Sequence, residues 1–553
     1  MTDLPLVPAP LSVTPTDGPG YVLGPRTRVV AGTHPEVASA VAHRLSRLAG
    51  FAVPVTANGA DEPDTVVLRL VDDAAALGLP DAGLTDAGLT HAGLTHAGLT
   101  HAGLTPERAA GAYRVEVTER RVTLTALAVD GLLHAATVLE QLAVRDAGRS
   151  PDPGPSPDAA PDAPDATPDA DDAAPAPDPA PAPDSALAPV RLPAVVVVDA
   201  PRFGWRGLSV DVARHFFGPE VLRTVVDVMA NLRLNVLHLH LTDDQGWRLD
   251  VPSRPQLVDV ASKTAVGDDP GGYYTVDDLA ELTAYARGRG ITVVPEIDLP
   301  GHVNAALHAL GELTPSGEPA DPYTGIEVGF SRLHADLPTT EPFLRDVLTD
   351  VAALTPGPYV HIGGDEVHTM ERAEYARLVE TAARVVEGAG KTVVGWQEVA
   401  KATLTPGTVV QLWDERDGAE LVRPAVEAGA LLLLSPASKV YLDLKYDAHT
   451  PIGLEWAGHV ELRDSYDWDP LAVVPGVPES SVVGIEAALW TETVRTPDDL
   501  FFLLLPRLAA VAEVAWSQPD RRSWEDFGPR VRHLARAWDR AGLPWYRSPQ
   551  IPW

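Results

Sequence analysis

Tyr359-Val-His-Ile-Gly-Gly-Asp-Glu-Val367 reads as a buried β-strand that stops on two glycines and then presents Asp365 and Glu366 side by side. Strand-like runs of the same kind recur on either side of it, at 207–211, 236–241, 292–297, 392–395, 409–412, 431–434 and 482–487. Helical patterns fall between them, including 219–232, 276–289, 341–354 and 373–387. Strands alternating with helices are the signature of repeated βα units. Eight such units over about 310 residues have the count and size of a (β/α)8 TIM barrel. In that architecture functional side chains gather at the C-terminal ends of the strands. The fold therefore predicts where chemistry should be found.

The residues at those ends meet the expectation. The first strand runs into Asp211-Val-Ala-Arg-His215, the second into His238-Leu-His-Leu-Thr-Asp-Asp-Gln-Gly-Trp247, and the third into Glu296-Ile-Asp-Leu-Pro-Gly-His302. The fourth ends in Asp365-Glu366, the fifth in Trp396 and the sixth in Trp413. Tyr441-Leu-Asp443 follows the seventh, and Trp490-Thr-Glu492 ends the eighth. A bare Asp-Glu pair after a strand reads most simply as a solvated acidic loop. Two carboxylates held close at a barrel mouth are different, because like charges raise one another's pKa. One can then stay protonated as a general acid while the other stays ionised, an arrangement suited to cleaving a glycosidic bond.

Upstream, residues 1–148 read as a small α/β (α+β) accessory domain. It has strands at 28–31 and 65–71, a hairpin of 113–117 with 122–125, and helices at 35–49 and 131–144. Two low-complexity stretches divide the chain. Residues 81–105 repeat Asp/His-Ala-Gly-Leu-Thr, a period of five that matches neither helix nor strand, and are expected to form an expanded loop. Residues 149–192 are dominated by Pro, Ala and Asp, with nine Asp between 151 and 185. Such a segment buries no apolar surface and is expected to be a disordered linker to a barrel domain spanning 193–553, which closes on a C-terminal helix.

These motifs carry a resemblance. His361-Ile-Gly-Gly-Asp-Glu366, the 238–247 run, Pro295-Glu-Ile-Asp-Leu-Pro-Gly-His302 and Leu489-Trp-Thr-Glu492 resemble the family 20 glycoside hydrolases, the β-N-acetylhexosaminidases. The likeness runs from Pro201 to Trp553, and the first domain is similar to the one preceding the barrel in that family. The resemblance implies an exo-acting hydrolase of terminal GlcNAc or GalNAc on β-linked glycans or chitooligosaccharides. It implies retention through substrate assistance, in which the sugar's own 2-acetamido oxygen attacks C1. By matching, Glu366 is the general acid, Asp365 orients the acetamido group, and Tyr441 donates to its oxygen. Arg214, Asp443 and Glu492 hold sugar hydroxyls; Trp396, Trp413 and Trp490 wall the acetamido group and the ring. Asp243 and His302 stand behind the acid. Trp456 and Trp468 are left as structural or rim residues. No cofactor and no metal are implied; the partner is an oligosaccharide substrate.

Two other classes compete. His238 and His240 have the spacing of paired imidazoles on a barrel strand, and with His302 and His361 they suggest the zinc site of a metal-dependent amidohydrolase. That class calls for an Asp ligand after the eighth strand, where this chain has Trp490-Thr-Glu492. A non-catalytic sugar-binding protein is the other, although every expected polar position is filled. The net charge of −34 argues against nucleic acid as a partner, since phosphates would be repelled. The absence of cysteine excludes disulfides and thiolate metal sites and suits a reducing compartment. No apolar run approaches the ~20 residues of a membrane helix. The start, Met1 to Pro8, lacks a basic segment followed by an apolar one, so a cytoplasmic protein is expected, with secretion open if a leader has been trimmed.

Overall fold

The structure, a computed structural model, describes residues 4–79, 105–145 and 189–553. The pentapeptide repeat up to residue 104 and most of the Pro/Ala/Asp stretch lie outside the described residues.

Eight parallel strands close into a barrel as expected: β1 (Trp205–Asp211), β2 (Val236–His240), β3 (Thr292–Glu296), β4 (Tyr359–His361), β5 (Thr392–Trp396), β6 (Val409–Leu412), β7 (Leu431–Leu434) and β8 (Val482–Leu489). Helices Pro219–Asn231, Val276–Arg287, Thr340–Leu354 and Arg372–Gly388 fall where the periodicity puts them. Each buries an apolar stripe against the strands. The helix Trp524–Ala541 supplies Phe527, Val531 and Trp538 to the same core. Inside the barrel, Trp205, Val236, Val294, Val394, Val409 and Leu433 fill the lower lumen with apolar side chains. Above them the lumen turns polar, which is the floor of the site. Among the described residues no helix is long and apolar enough to cross a membrane.

The first domain is a seven-stranded mixed sheet with helices Pro35–Ala49 and Val129–Leu142 in its core. Along Tyr113–Val117 the alternation is clean: Tyr113, Val115 and Val117 are buried, and Arg114 and Glu116 are partly exposed. The sheet corrects the expected domain boundary. Val195–Asp199 pairs antiparallel with both Ser12–Pro15 and Tyr113–Val117, so the chain is still in the first domain beyond residue 193. The barrel begins at Trp205. A run of four valines after a low-complexity stretch carries no label saying which sheet it joins. The expectation of an interdomain linker changes with it. Val144 and Arg145 pair antiparallel with Arg191 and Val190, so the chain leaves and re-enters this segment on adjoining strands of the first domain. The 149–192 stretch is thus inserted within that domain and does not join it to the barrel.

Candidate active site

The backbone after β4 explains its two glycines. Gly363 has φ +67° and Gly364 φ +112°, and a Cβ on Gly363 would sit 1.8 Å from Asp298 Oδ1. Only glycine fits where the chain passes this close to a carboxylate. Glu366 itself has φ +50° and His302 φ +53°. Left-handed backbone at non-glycine residues costs free energy and is concentrated at functional sites. The irregular path breaks strand alternation, so Asp365 and Glu366 both reach one imidazole. His302 Nε2 lies 3.6 Å from Asp365 Oδ2 and 3.4 Å from Glu366 Oε2.

Behind that imidazole is a line of charge. His302 Nδ1 lies 3.2 Å from Asp243, whose Oδ2 also receives Arg214 Nη2 at 2.8 Å and lies 2.9 Å from His240 Nε2. Burial alone would raise the Asp243 pKa, but Arg214 and His302 reverse it and hold the group well below the carboxylate range. Burial works against a charged His302, yet Asp243, Asp365 and Asp298 over-compensate and raise its pKa well above the usual imidazole value. Asp365 differs. Burial dominates, and even with His302 beside it the pKa is pushed up to about 6.

Around this core stand the aromatic residues. Trp396, fully buried, lies 5.6 Å from Trp490 between ring centres, and Trp490 lies 6.1 Å from Tyr441. Trp413 stacks on Tyr441 at 6.4 Å. Burial, then Asp365, raises the Tyr441 pKa well above its usual value and keeps the proton on the hydroxyl for donation, with Trp490 the one neighbour that acts to lower it by hydrogen bonding. Arg214 sits over the Trp490 ring at 5.3 Å. Trp456 meets Trp413 and Tyr441 edge-on while 45% exposed, a rim position. Trp468 is buried in the surrounding core, with its indole N–H on Ser465.

All eleven expected site residues converge, and several arrive with unused polar atoms. Asp365 Oδ1, Glu492 Oε2 and Arg214 Nε are buried without a hydrogen-bond partner. The Asp443 carboxylate lies near its own backbone N–H and that of Trp490, but neither oxygen has hydrogen-bond geometry. Its pKa is raised well above the usual range by burial and then by Glu492. Buried polar atoms left open in one place mark a ligand's place.

The family resemblance gives no role to Glu296, Asp298, Asp211 or Glu398, and His240 figures only in the competing zinc reading. Asp211 bonds the backbone N–H groups of Ala213, Arg214 and Thr491, fixing the loops that carry Arg214 and Glu492. Asp298 accepts from the Gly364 N–H at 3.2 Å. Glu398 accepts from the Trp413 indole at 3.2 Å, and burial followed by Asp365 pushes its pKa up to about 7. Glu296 and Asp298 stand two apart on one strand end, the spacing that sends both side chains to one side, and this is the signal that was present. The four histidines of the zinc reading do not meet at one point. His238 and His361 stack at 4.5 Å and share Glu296, and His302 groups with Asp243, Asp244, Asp298 and Asp365.

The catalytic-domain model of glycosyl hydrolase family 20 matches residues 203–519, and the family's domain 2 model matches residues 3–153. The chain belongs to glycoside hydrolase family 20. A β-N-acetylhexosaminidase of Cellulomonas fimi is 48% identical over 100% of this chain and 98% of its own length. The solved family 20 β-N-acetylhexosaminidase of Streptomyces coelicolor A3(2) superposes with TM-score 0.81 at 36% identity, covering 100% of this chain and 99% of that one. A mutant Streptomyces plicatus β-hexosaminidase in complex with the product GlcNAc gives 0.81 at 36%, covering 100% and 98%. This family 20 hydrolase is thus a β-N-acetylhexosaminidase by relationship over its whole length. Neither the amidohydrolase reading nor that of a non-catalytic binding protein survives.

Proposed function

We propose that the enzyme removes single terminal β-linked GlcNAc or GalNAc residues from the non-reducing ends of glycans or chitooligosaccharides, with retention, by substrate assistance. The observation that carries this reading is Asp365, a buried carboxylate with Oδ1 unsatisfied inside an aromatic-walled pocket. An acetamido N–H is the donor it lacks. Tyr441, which keeps its proton, donates to the acetamido carbonyl oxygen.

In the first step that oxygen attacks C1 as the C1–O glycosidic bond breaks. Glu366, whose side chain is 25% exposed toward the mouth, gives its proton to the departing oxygen. The oxazolinium formed keeps its N–H on Asp365, whose negative charge balances the ring's positive one. Glu366, now ionised, takes a proton from water as it attacks C1 and the bond from C1 to the acetamido oxygen breaks, which restores the acid and the acetamido group and leaves the anomeric configuration unchanged. Arg214, Asp443 and Glu492, buried around Trp490, offer open donors and acceptors to the far hydroxyls of one terminal sugar.

A thiazoline analogue of the oxazolinium tests the reading. It is expected to inhibit far more tightly than the product GlcNAc, since the site complements the intermediate. Inhibition no better than that by GlcNAc sinks substrate assistance. Product profiles from chitooligosaccharides test exo action, which predicts GlcNAc and the oligomer one sugar shorter as the early products.

A further inference from the structure

The buried carboxylate at the end of β3 takes no part in the steps above, yet four nitrogens from three other strands close on it. Glu296 Oε1 accepts the Trp396 indole N–H at 2.8 Å and lies 3.0 Å from His361 Nδ1. Its Oε2 lies 2.5 Å from His240 Nδ1 and 3.0 Å from His238 Nε2. His240 passes the contact on, with Nε2 2.9 Å from Asp243, the anion shared by His302 and Arg214. His238 passes it downward, with Nδ1 2.9 Å from Glu486, which also accepts from Trp205 at 2.7 Å and Gln411 at 2.9 Å. One carboxylate therefore joins β2, β4 and β5 from inside the barrel.

We propose that Glu296 is a positioning residue for the reaction: it fixes the Trp396 wall of the acetamido pocket and, through His240, the Asp243–His302 pair behind the acid. The assignment rests on the substrate-assisted reading, because it is that mechanism that makes the acetamido wall part of the catalytic apparatus. A carboxylate suits the place because it only accepts: the Trp396 indole and His240 hydrogen-bond to its two oxygens, while His238 and His361 stand within ion-pair distance. A glutamine keeps the shape but turns an N–H toward an imidazole or the indole, so both arms of the site loosen. A displacement of about 1 Å at such a support can lower turnover about 100-fold.

The test is a double-mutant cycle on the full chain. Glu296→Gln is expected to lower kcat/KM on an aryl N-acetyl-β-glucosaminide about 100-fold and to weaken thiazoline inhibition in parallel. Trp396→Phe, which deletes the indole N–H, is expected to add no more than about 2-fold to that loss, since its anchor has already gone. Fully multiplicative losses overturn the proposal. So does a Glu296→Gln enzyme whose kcat/KM and inhibition stay within about 2-fold of wild type. Should Glu296→Gln show no cooperative melting transition, His240→Gln combined with Trp396→Phe replaces it. Coupled losses then support a shared anchor, and independent losses overturn it. Weak thiazoline inhibition of the wild type counts against the mechanism alone, because the cycle in kcat/KM is still read.

Discussion

Two buried clusters of charge hold this enzyme together, and they are finished to different degrees. At the seam between the domains, Asp199 spends both oxygens on five donors: the backbone N–H groups of Leu11 and Ala200, the Tyr113 hydroxyl, Arg233 and the Trp516 indole. Arg206 and Arg233 lie over the Trp516 ring at 4.8 and 4.9 Å. At the barrel mouth the carboxylates are buried or half-buried, but Asp365, Asp443 and Glu492 keep buried oxygens with nothing to accept. A buried carboxylate with both oxygens satisfied fixes one geometry, whereas one with open oxygens is held in place by its surroundings at a cost in stability until a ligand completes it. The seam is built for position and the mouth for binding.

Substitution separates the two. The largest effect is expected at the mouth and in rate. Glu366→Gln should lower turnover of a disaccharide about 1,000-fold, within the range for loss of general acid catalysis, with a much smaller loss on a dinitrophenyl glycoside that needs no proton. Its melting temperature should stay near that of wild type, because the side chain makes no buried hydrogen bond. Equal losses on both substrates remove Glu366 from the acid role. The mirror image is Asp199→Asn, which places a donor among five donors and strands the Arg233 charge. It should cost about 3–5 kcal/mol in chemical denaturation, with turnover per folded molecule unchanged. A denaturation midpoint like that of wild type would show that the seam is not the support described here.

The contrast also explains what the sequence made legible. The barrel could be read because each strand is short, apolar and bounded, and because the function of the fold concentrates polar residues at the same end of each strand. The meeting of the eleven expected residues at one mouth was legible because they follow strand ends, and six of them sit inside long ordered motifs such as Pro295 to His302. Glu296 lies in that same motif, but its meaning is relational: it matters because His238, His240, His361 and Trp396 come to it from other strands. Nothing local signals such a convergence. The seam was illegible for the same reason. Neither Asp199 nor Arg233 stands in any of the motifs, yet Arg233 is fully buried with φ +59°. The four valines before Asp199 were given to the wrong domain because pairing across a long insertion leaves no trace in periodicity.

A smaller effect of opposite sign is expected at Asp443. Its pKa is raised, so the folded state holds a proton that the unfolded chain releases. Ionising it therefore costs stability as pH rises above the unfolded value of about 3.9. Asp443→Asn should stabilise the protein at neutral pH by about 1–2 kcal/mol while raising KM. The gain should vanish below about pH 4, where both states are protonated. A neutral-pH loss of stability would show that the carboxylate is satisfied in the free enzyme and that the mouth is not strained by it.

The smallest expected effect is in pH, and it asks whether the mouth titrates on its own. Asp365 must be ionised to receive the acetamido N–H, and burial has moved its pKa up to about 6. The sign follows directly: below that value the carboxyl is protonated and Oδ1 can no longer balance the oxazolinium charge, so kcat/KM should rise with pH and level off above about 6. Asp365→Asn should be slow at every pH and should lose the limb. Asp199→Asn, altered only at the seam, should keep it at the wild-type position even while its stability falls. If the seam variant moves the limb, the two clusters are coupled through β1 and the helix that follows it, and the division of labour between them fails. If Asp365→Asn keeps the limb, the titrating group lies elsewhere, and Glu398, with its pKa pushed up to about 7 behind Trp413, is the buried carboxyl to replace next.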